Sequence, residues 1–252
     1  MIRSDEIHVR LRAPMAMYTR PEYRTERVSN VVGSHAAYEG LLKQIMGHHG
    51  CHYEIHRVGL LFIPRWLPVT SNEVADFGTG RKPVDTTVDR TLRTTLLVAG
   101  KRRRVRPDYH YEWAAYDKKD ERAWIDDAGV DYIISFQLVT PDVKYIDILD
   151  RRLRGGRSFT QPYLGMREYV ARVDLVEDLH DVVYPGIDLV EHPDGLKTVD
   201  YTQPLGVSFF GTDWEHPPHA NYFYPIDIKR GVVTYPGWAE VRKLGIKREV
   251  AA

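Results

Sequence analysis

The sequence predicts a mixed α+β fold with the ferredoxin-like chain order, interrupted by a basic β-hairpin and followed by a smaller antiparallel β region. Three observations predict it. Stretches with two-residue hydrophobic alternation and stretches with a helical period succeed one another as strand, helix, strand, basic hairpin, strand, helix, strand. Without the hairpin this is βαββαβ. Beyond residue 175 the pattern changes to short strands and many turns, with frequent Pro and Gly and no clear helix. At 252 residues the chain is long enough to bury a real core. The expected division is residues 1–174 for the βαββαβ unit, with the hairpin insertion at about 75–118, and 175–252 for the C-terminal β region.

The elements are justified in order. Ile7, Val9 and Leu11 alternate with His8, Arg10 and Arg12, the pattern of a half-buried strand. In "SHAAYEGLLKQIMG", Ser34 can cap a helix, Ala37, Leu41 and Ile45 recur every four residues, and Gly47 stops it. From His52 to Ile63, β-branched and aromatic residues predict a strand ended by Pro64. "DFGTGRKP" is a loop. "TTLLVAGKRRRVRPDYHYEW" predicts a hairpin turning at Gly100-Lys101, with Tyr109, Tyr111 and Trp113 on one face. "VDYIISFQLV" is a further strand. "DVKYIDILDRRLRGG" is a short helix ended by glycines, and "FTQPYLGMREYVARV" turns at Pro162 into the last strand of the unit.

Composition excludes some classes. No apolar run approaches the ~18 residues of a membrane span. The start, "MIRSDEIHVRLR", is charged and then alternates, unlike a signal peptide. The single Cys51 forbids an internal disulfide, and a reducing cytoplasm is the expected compartment. Net charge is zero, but the charge is segregated. Residues 81–106 hold nine Lys/Arg against two Asp, and residues 144–172 hold seven against three acids. Residues 174–200 invert the balance, with eight acids and one Lys. The basic stretches are either ordinary solvated surface or a polyanion-facing side. Aromatics interleaved with the charge, as in "KRRRVRPDYHYEW", point to nucleic acid, because rings stack on bases while Arg holds phosphates.

"GHHGCHYEIH", residues 47–56, holds four of the eleven histidines. On a helix, His48, His52 and His56 would share a face, but Gly47 and Gly50 interrupt. The zincin order needs Glu directly after the first His, which is missing. On a strand, His52 and His56 are ~13 Å apart at ~3.3 Å per residue, too far for one zinc bonded at ~2 Å. No metal and no other cofactor is expected. His48 and His49 sit in the glycine-flanked turn after the first helix, where a groove can form. There is no Walker loop, GxSxG or dinucleotide fingerprint. "LRGGRSFTQPYLGMRE" is the one glycine- and arginine-rich segment. It reads as a helix C-cap plus turn, or as a loop whose amides and Arg154, Arg157 and Arg167 hold phosphates.

A family resemblance adds to this. "MYTRPEYRTERVSN", "GSHAAYEGLLKQI", "SNEV" at 71–74, "ERAWIDDAGVDYII", "DRRLRGGRSFTQPYLGMREY" and "KRGVVTYP" follow the order of landmarks of the CRISPR-associated Cas-five proteins of type I-C, the Dvulg branch of the RAMP superfamily. The similarity covers roughly residues 7 to 236, and Gln161 to Glu168 is its most specific stretch. The resemblance implies a ferredoxin-like (RAMP/RRM-like) domain, a basic hairpin thumb and a small C-terminal antiparallel sheet. It implies a subunit of a Cascade complex that grips the 5′ handle of CRISPR RNA, beside backbone (Cas-seven type) and large (Cas-eight type) subunits, and meets target DNA only through the complex, with no membrane partner. It further implies a metal-independent endoribonuclease that cuts pre-crRNA repeats. The second reading is a structural subunit that binds the handle and does not cut.

The resemblance carries the family's catalytic Tyr, Lys and His onto Met46, Lys144 and Tyr145, so only the lysine is kept. The expected catalytic residues are Lys144, Tyr145 and His48, the last either a substitute acid/base group or a groove-lining residue. The expected RNA-binding residues are Arg20, Arg24, Arg27, Lys101, Arg102, Arg103, Arg104, Tyr109, Tyr111, Arg151, Arg152, Arg154, Arg157 and Arg167.

Overall fold

A computed structural model describes residues 1–18, 29–47, 50–74, 105–115, 129–165, 169–213 and 219–249, with only the backbone described at 65–74, 105–115 and 249. The fold is mixed α+β, and every strand pair in it is antiparallel.

The main sheet is built around β2 (Ile7–Ala13) and β7 (Val130–Thr140), which pair from Ile7↔Phe136 to Ala13↔Val130. β8 (Arg172–Val176) lies on the far side of β2, and β4 (His52–Leu60) on the far side of β7. The short β1 (Ile2–Arg3) also pairs with β7. Two helices complete the unit: α1 (His35–Met46) joins β2 to β4, and α2 (Lys144–Arg154) joins β7 to β8. The spatial order β4-β7-β2-β8 with these crossovers is a βαββαβ arrangement.

Alternate residues of the strands join the helices in one core. Val9, Leu11, Tyr53, Ile55, Tyr132, Ile134, Phe136 and Leu138 pack with Tyr38, Leu41, Leu42, Ile45 and Met46 of α1 and with Leu149 and Leu153 of α2. The helical period of α1 and the two-residue period of β2 thus meet across a single interface. α1 begins where expected: the Ser34 side chain accepts from the Ala37 N–H at 3.2 Å. It ends at Gly47, whose φ of 78° and ψ of −176° suit glycine and little else. On the opposite face of the sheet, Arg10 grips the buried Asp131 with a bidentate fork at 2.6–3.2 Å. Ile133 there joins Leu61, Leu179, Val182 and Leu196 in a second, smaller cluster.

Two readings of the sequence are corrected. β6 (Val105–Ala115) takes β5 (Arg65–Val74) as its partner, from Arg65↔Ala115 to Val74↔Val105. The sequence reading ended the preceding strand at Pro64 and gave no strand to 65–74. Pro68 hides β5 in the pattern, and it is tolerated because β5 lies at the edge of its sheet among the described residues. β3 (Met15–Ala16) pairs with the other edge of β6 at Ala114 and Ala115. The expected turn at Gly100-Lys101, and residues 75–104 as a whole, lie outside the described residues. The second correction is a helix in the C-terminal region, α3 (Trp238–Leu244), framed by Gly237 and Gly245. Two turns are too few to show a period, and the helix is held by its packing: Val241 is fully buried and Trp238 lies edge-on to Phe210 and Tyr222.

The C-terminal region also adds strands. β9 (Val190–Glu191) pairs with β10 (Lys197–Thr198). β11 (Gln203–Asp213), β12 (Ala220–Ile228) and β14 (Ile246–Glu249) form a separate sheet. β13 (Val232–Thr234) pairs with β4 at the edge of the main sheet. Ile226, Ile228, Val233 and Tyr235 enter the main core. Among the described residues no helix is long and apolar enough to cross a membrane.

Candidate nucleic-acid interface

α2 amphipathicity sets the site. Leu149 and Leu153, four residues apart, face the core, which turns Arg151 and Arg154 to solvent. Arg151, Arg152 and Arg154 crowd the last turn, where the partial negative charge of the helix end favours cations. Gly155 closes the helix with its N–H on the Arg151 carbonyl at 3.1 Å, and Gly156, at φ 58°, reverses the chain. The reversal brings the next residues to the end of α1. Phe159 N–H donates to the Ile45 carbonyl and Thr160 N–H to the Gln44 carbonyl, both at 3.0 Å. The Arg152 guanidinium reaches the same Ile45 carbonyl at 2.5 Å, and Tyr163 N–H donates to Gln44 Oε1 at 3.1 Å. One loop therefore satisfies carbonyls that α1 would otherwise leave open. Further on, Gly165 is needed: a Cβ there would overlap the Met17 carbonyl.

Between this loop, the end of α2 and the edge strand β8 runs an open groove of about 470 Å³. Among the described residues Arg12, Arg152, Arg157 and Arg172 line it, against one carboxylate, Asp174. Arg12 and Arg172 stand directly opposite each other on β2 and β8. Like charges in that position repel. Asp174 bridges them, at 2.7 Å from Arg12 Nη2 and 2.9–3.0 Å from Arg172 Nε. Four planar forks around a single acid form a surface suited to phosphate oxygens.

The other end of α2, about 15 Å away along the axis at 1.5 Å per residue, carries Lys144 and Tyr145. Lys144 Nζ lies 3.0 Å from Asp142 Oδ2 and 5.1 Å from the centre of the Tyr145 ring. The hydrogen bond and charge of Asp142 raise the lysine pKa above its ordinary value, so the ammonium stays protonated at neutral pH. Lys144 is thus a cation and not a base. Met46, which the resemblance sets in place of a catalytic tyrosine, is fully buried in the core.

The structure brings Arg152 and Arg157 together in the groove, with Arg151 exposed beside it. Arg154 is directed elsewhere, to Asp150 at 2.8 Å and to Glu177. Tyr109 and Tyr111 fall on β6, paired with Ser71 and Val69, but their side chains are outside the described residues. So are His48, Arg20, Arg24, Arg27, Lys101, Arg102, Arg103, Arg104 and Arg167. His56 is held by Glu6 at 2.8 Å, and His52 lies 4.0 Å from Glu39. Among the described residues no cluster of three His, Cys, Asp or Glu side chains is placed to hold a metal ion. Sequence reasoning missed Arg12 and Arg172. The alternation of Arg10 and Arg12 with buried residues was a visible signal, but their meeting with β8 depends on sheet order.

Comparison with known proteins identifies the family. The family described as CRISPR-associated protein (Cas5), subtype Cas5d, matches residues 6–236. The chain is 30% identical over 165 residues to the CRISPR pre-crRNA endoribonuclease Cas5d of Thermus thermophilus, covering 66% of this chain and 62% of that protein. It is 26% identical over 235 residues to the protein of the same description from Mannheimia succiniciproducens, covering 92% and 96%. A crystal structure of a CRISPR-associated protein shares the fold with a TM-score of 0.58 at 18% identity, covering 98% of both chains. The chain belongs to the Cas5d family of CRISPR-associated proteins.

Proposed function

We propose that this chain binds the repeat-derived 5′ handle of CRISPR RNA as a subunit of a type I-C Cascade complex, and that it also cuts pre-crRNA repeats without a metal. In this reading residues 1–174 are a RAMP-type ferredoxin-like domain with a thumb at 75–118, and residues 175–252 are the C-terminal β region. The observation that carries it is the groove in which four arginines face one aspartate on a Cas5d-family chain. Both named relatives are described as pre-crRNA endoribonucleases. A single strand laid along α2 would meet the groove at one end and Lys144 at the other.

The cleavage is an internal transfer. A base takes the proton of a ribose 2′-hydroxyl, and the oxygen attacks the adjacent phosphate. The bond to the 5′-oxygen breaks and that oxygen receives a proton, leaving a 2′,3′-cyclic phosphate and a 5′-hydroxyl. Lys144, held protonated by Asp142, stabilises the added negative charge on the phosphorane. His48 is the base, a role that imidazole chemistry suits near neutral pH, and Tyr145 donates to the leaving oxygen or orients the phosphate.

The burial of Met46 favours the second reading, a handle-binding subunit that does not cut, because a methionine sealed in the core transfers no proton. The protein incubated with its own repeat RNA in EDTA separates the two. Products with cyclic-phosphate and 5′-hydroxyl ends support the nuclease. Lys144→Ala should then lower the single-turnover rate about 10²-fold or more, as removing one transition-state charge contact does, while RNA affinity changes far less. Tight binding with no cleavage decides for the structural subunit. Cleavage that needs added magnesium or zinc would sink the mechanism.

A further inference from the structure

Among the residues whose side chains are described, one Phe, Tyr or Trp ring is left exposed. Phe159 is 64% accessible, while the other Phe, Tyr and Trp rings are buried or half-buried. Its backbone is not loose. Its own N–H and that of Thr160 are bonded to the last turn of α1, and Tyr163 N–H is fixed to Gln44. The loop thus presents a bare ring on a rigid mount, the arrangement in which stacking costs least conformational entropy. The neighbours set the chemistry of what covers it. Ser158 and Gln161, on either side, line the basic groove, and so does Arg157 two residues before. Arg157 has no acidic partner among the described residues, so its charge is available to an anion. An uncovered aromatic beside such a cation fits a nucleotide, with base on ring and phosphate on guanidinium.

We propose that Phe159 is a stacking platform for one unpaired nucleobase of the RNA strand whose phosphates lie in the groove. This rests on the RNA-binding reading of that groove. Phe159 holds the strand in register, so that the arginines meet a fixed set of phosphates.

The test is equilibrium titration of the purified protein with its repeat RNA, and with a series of the same RNA carrying one abasic site at each unpaired position. Phe159→Ala should lower affinity about 5- to 150-fold, the range found for loss of a base-stacking ring. Phe159→Leu, apolar but without a π-face, should fall with it, and Phe159→Trp should retain affinity. One abasic position should weaken wild-type binding by a similar factor and have no further effect on Phe159→Ala. Since the ring is exposed, unfolding midpoints of all three variants should match wild type. Wild-type binding that Arg157→Ala weakens and Phe159→Ala does not would overturn the platform while leaving the groove intact. Phe159→Ala that binds RNA normally but fails to join the other Cascade subunits would overturn it in favour of a protein contact. Absence of any wild-type RNA binding would overturn the groove reading itself, and the platform with it.

Discussion

His35 shows how one side chain ties the fold to solution pH. It opens α1, and its ring lies flat on Phe210 with centroids 4.1 Å apart. Its Nε2 accepts from the Ile55 N–H at 3.4 Å, at the irregularity in the pairing of β4. Burial lowers its pKa from 6.5 to about 4, only partly opposed by the charge of Glu39. The unfolded chain therefore takes up a proton on acidification before the folded chain does. Stability from this group is complete above pH 6.5 and is lost as pH falls towards 4, by about 3 kcal/mol in full and about 2 kcal/mol between pH 7 and pH 5. Burial also lowers the pKa of His8, which acts in the same direction. The informative quantity is thus the difference between wild type and His35→Gln, whose amide oxygen can still accept from Ile55. Urea unfolding at pH 7 and pH 5 should show the variant losing less stability than wild type. Equal losses would exclude His35 as the sensor.

At the scale of elements, α1 and α2 were legible because their signals are local. Ser34 caps the first and Gly47 ends it, and the Gly155-Gly156 pair ends the second. β5 was not legible, since Pro68 reads as a breaker until the edge position of the strand is known. α3 is a short helix stabilised by tertiary contacts of Trp238 and Val241. The arginines of the groove divide on the same principle. Arg152 and Arg157 lie close in sequence and stood out as part of an Arg-Gly run. Arg12 and Arg172 are adjacent only because β2 pairs with β8. A second division separates structural from available charge. Arg152 caps the end of α1 through the Ile45 carbonyl, a charged hydrogen bond at a helix C-terminus. Arg152→Ala should cost about 1–2 kcal/mol of stability. Arg157→Ala should change stability by less than about 0.5 kcal/mol, as surface replacements do, and still weaken RNA binding. Urea unfolding and RNA titration of both variants check the pair. A stability loss as large for Arg157→Ala would contradict its assignment as a cation without an acidic partner among the described residues.

For the whole molecule, 35 basic and 35 acidic residues cancel, so any attraction for RNA must come from where the charges lie. The acids of residues 174–200 are partly spent on the protein's own cations: Asp174 bridges Arg12 and Arg172, and Glu177 shares Arg154 with Asp150. This pairing sorts arginines that the sequence could only list together. Each phosphate neutralised on a single strand releases ~0.7 counterion, so the logarithmic fall of affinity with salt counts the cations that do the work. Arg157→Ala should flatten that slope by about 0.7. Arg154→Ala should leave it nearly unchanged, because its charge is already matched by two carboxylates. Arg12→Ala and Arg172→Ala, which remove the two cations bridged by Asp174, should fall between these limits. The measurement is repeat-RNA affinity across a salt series for the four variants and wild type. A slope that drops equally for Arg154→Ala and Arg157→Ala would mean that the ion pairs on α2 open when RNA binds. The basic surface would then extend along the outer side of that helix and not along the groove.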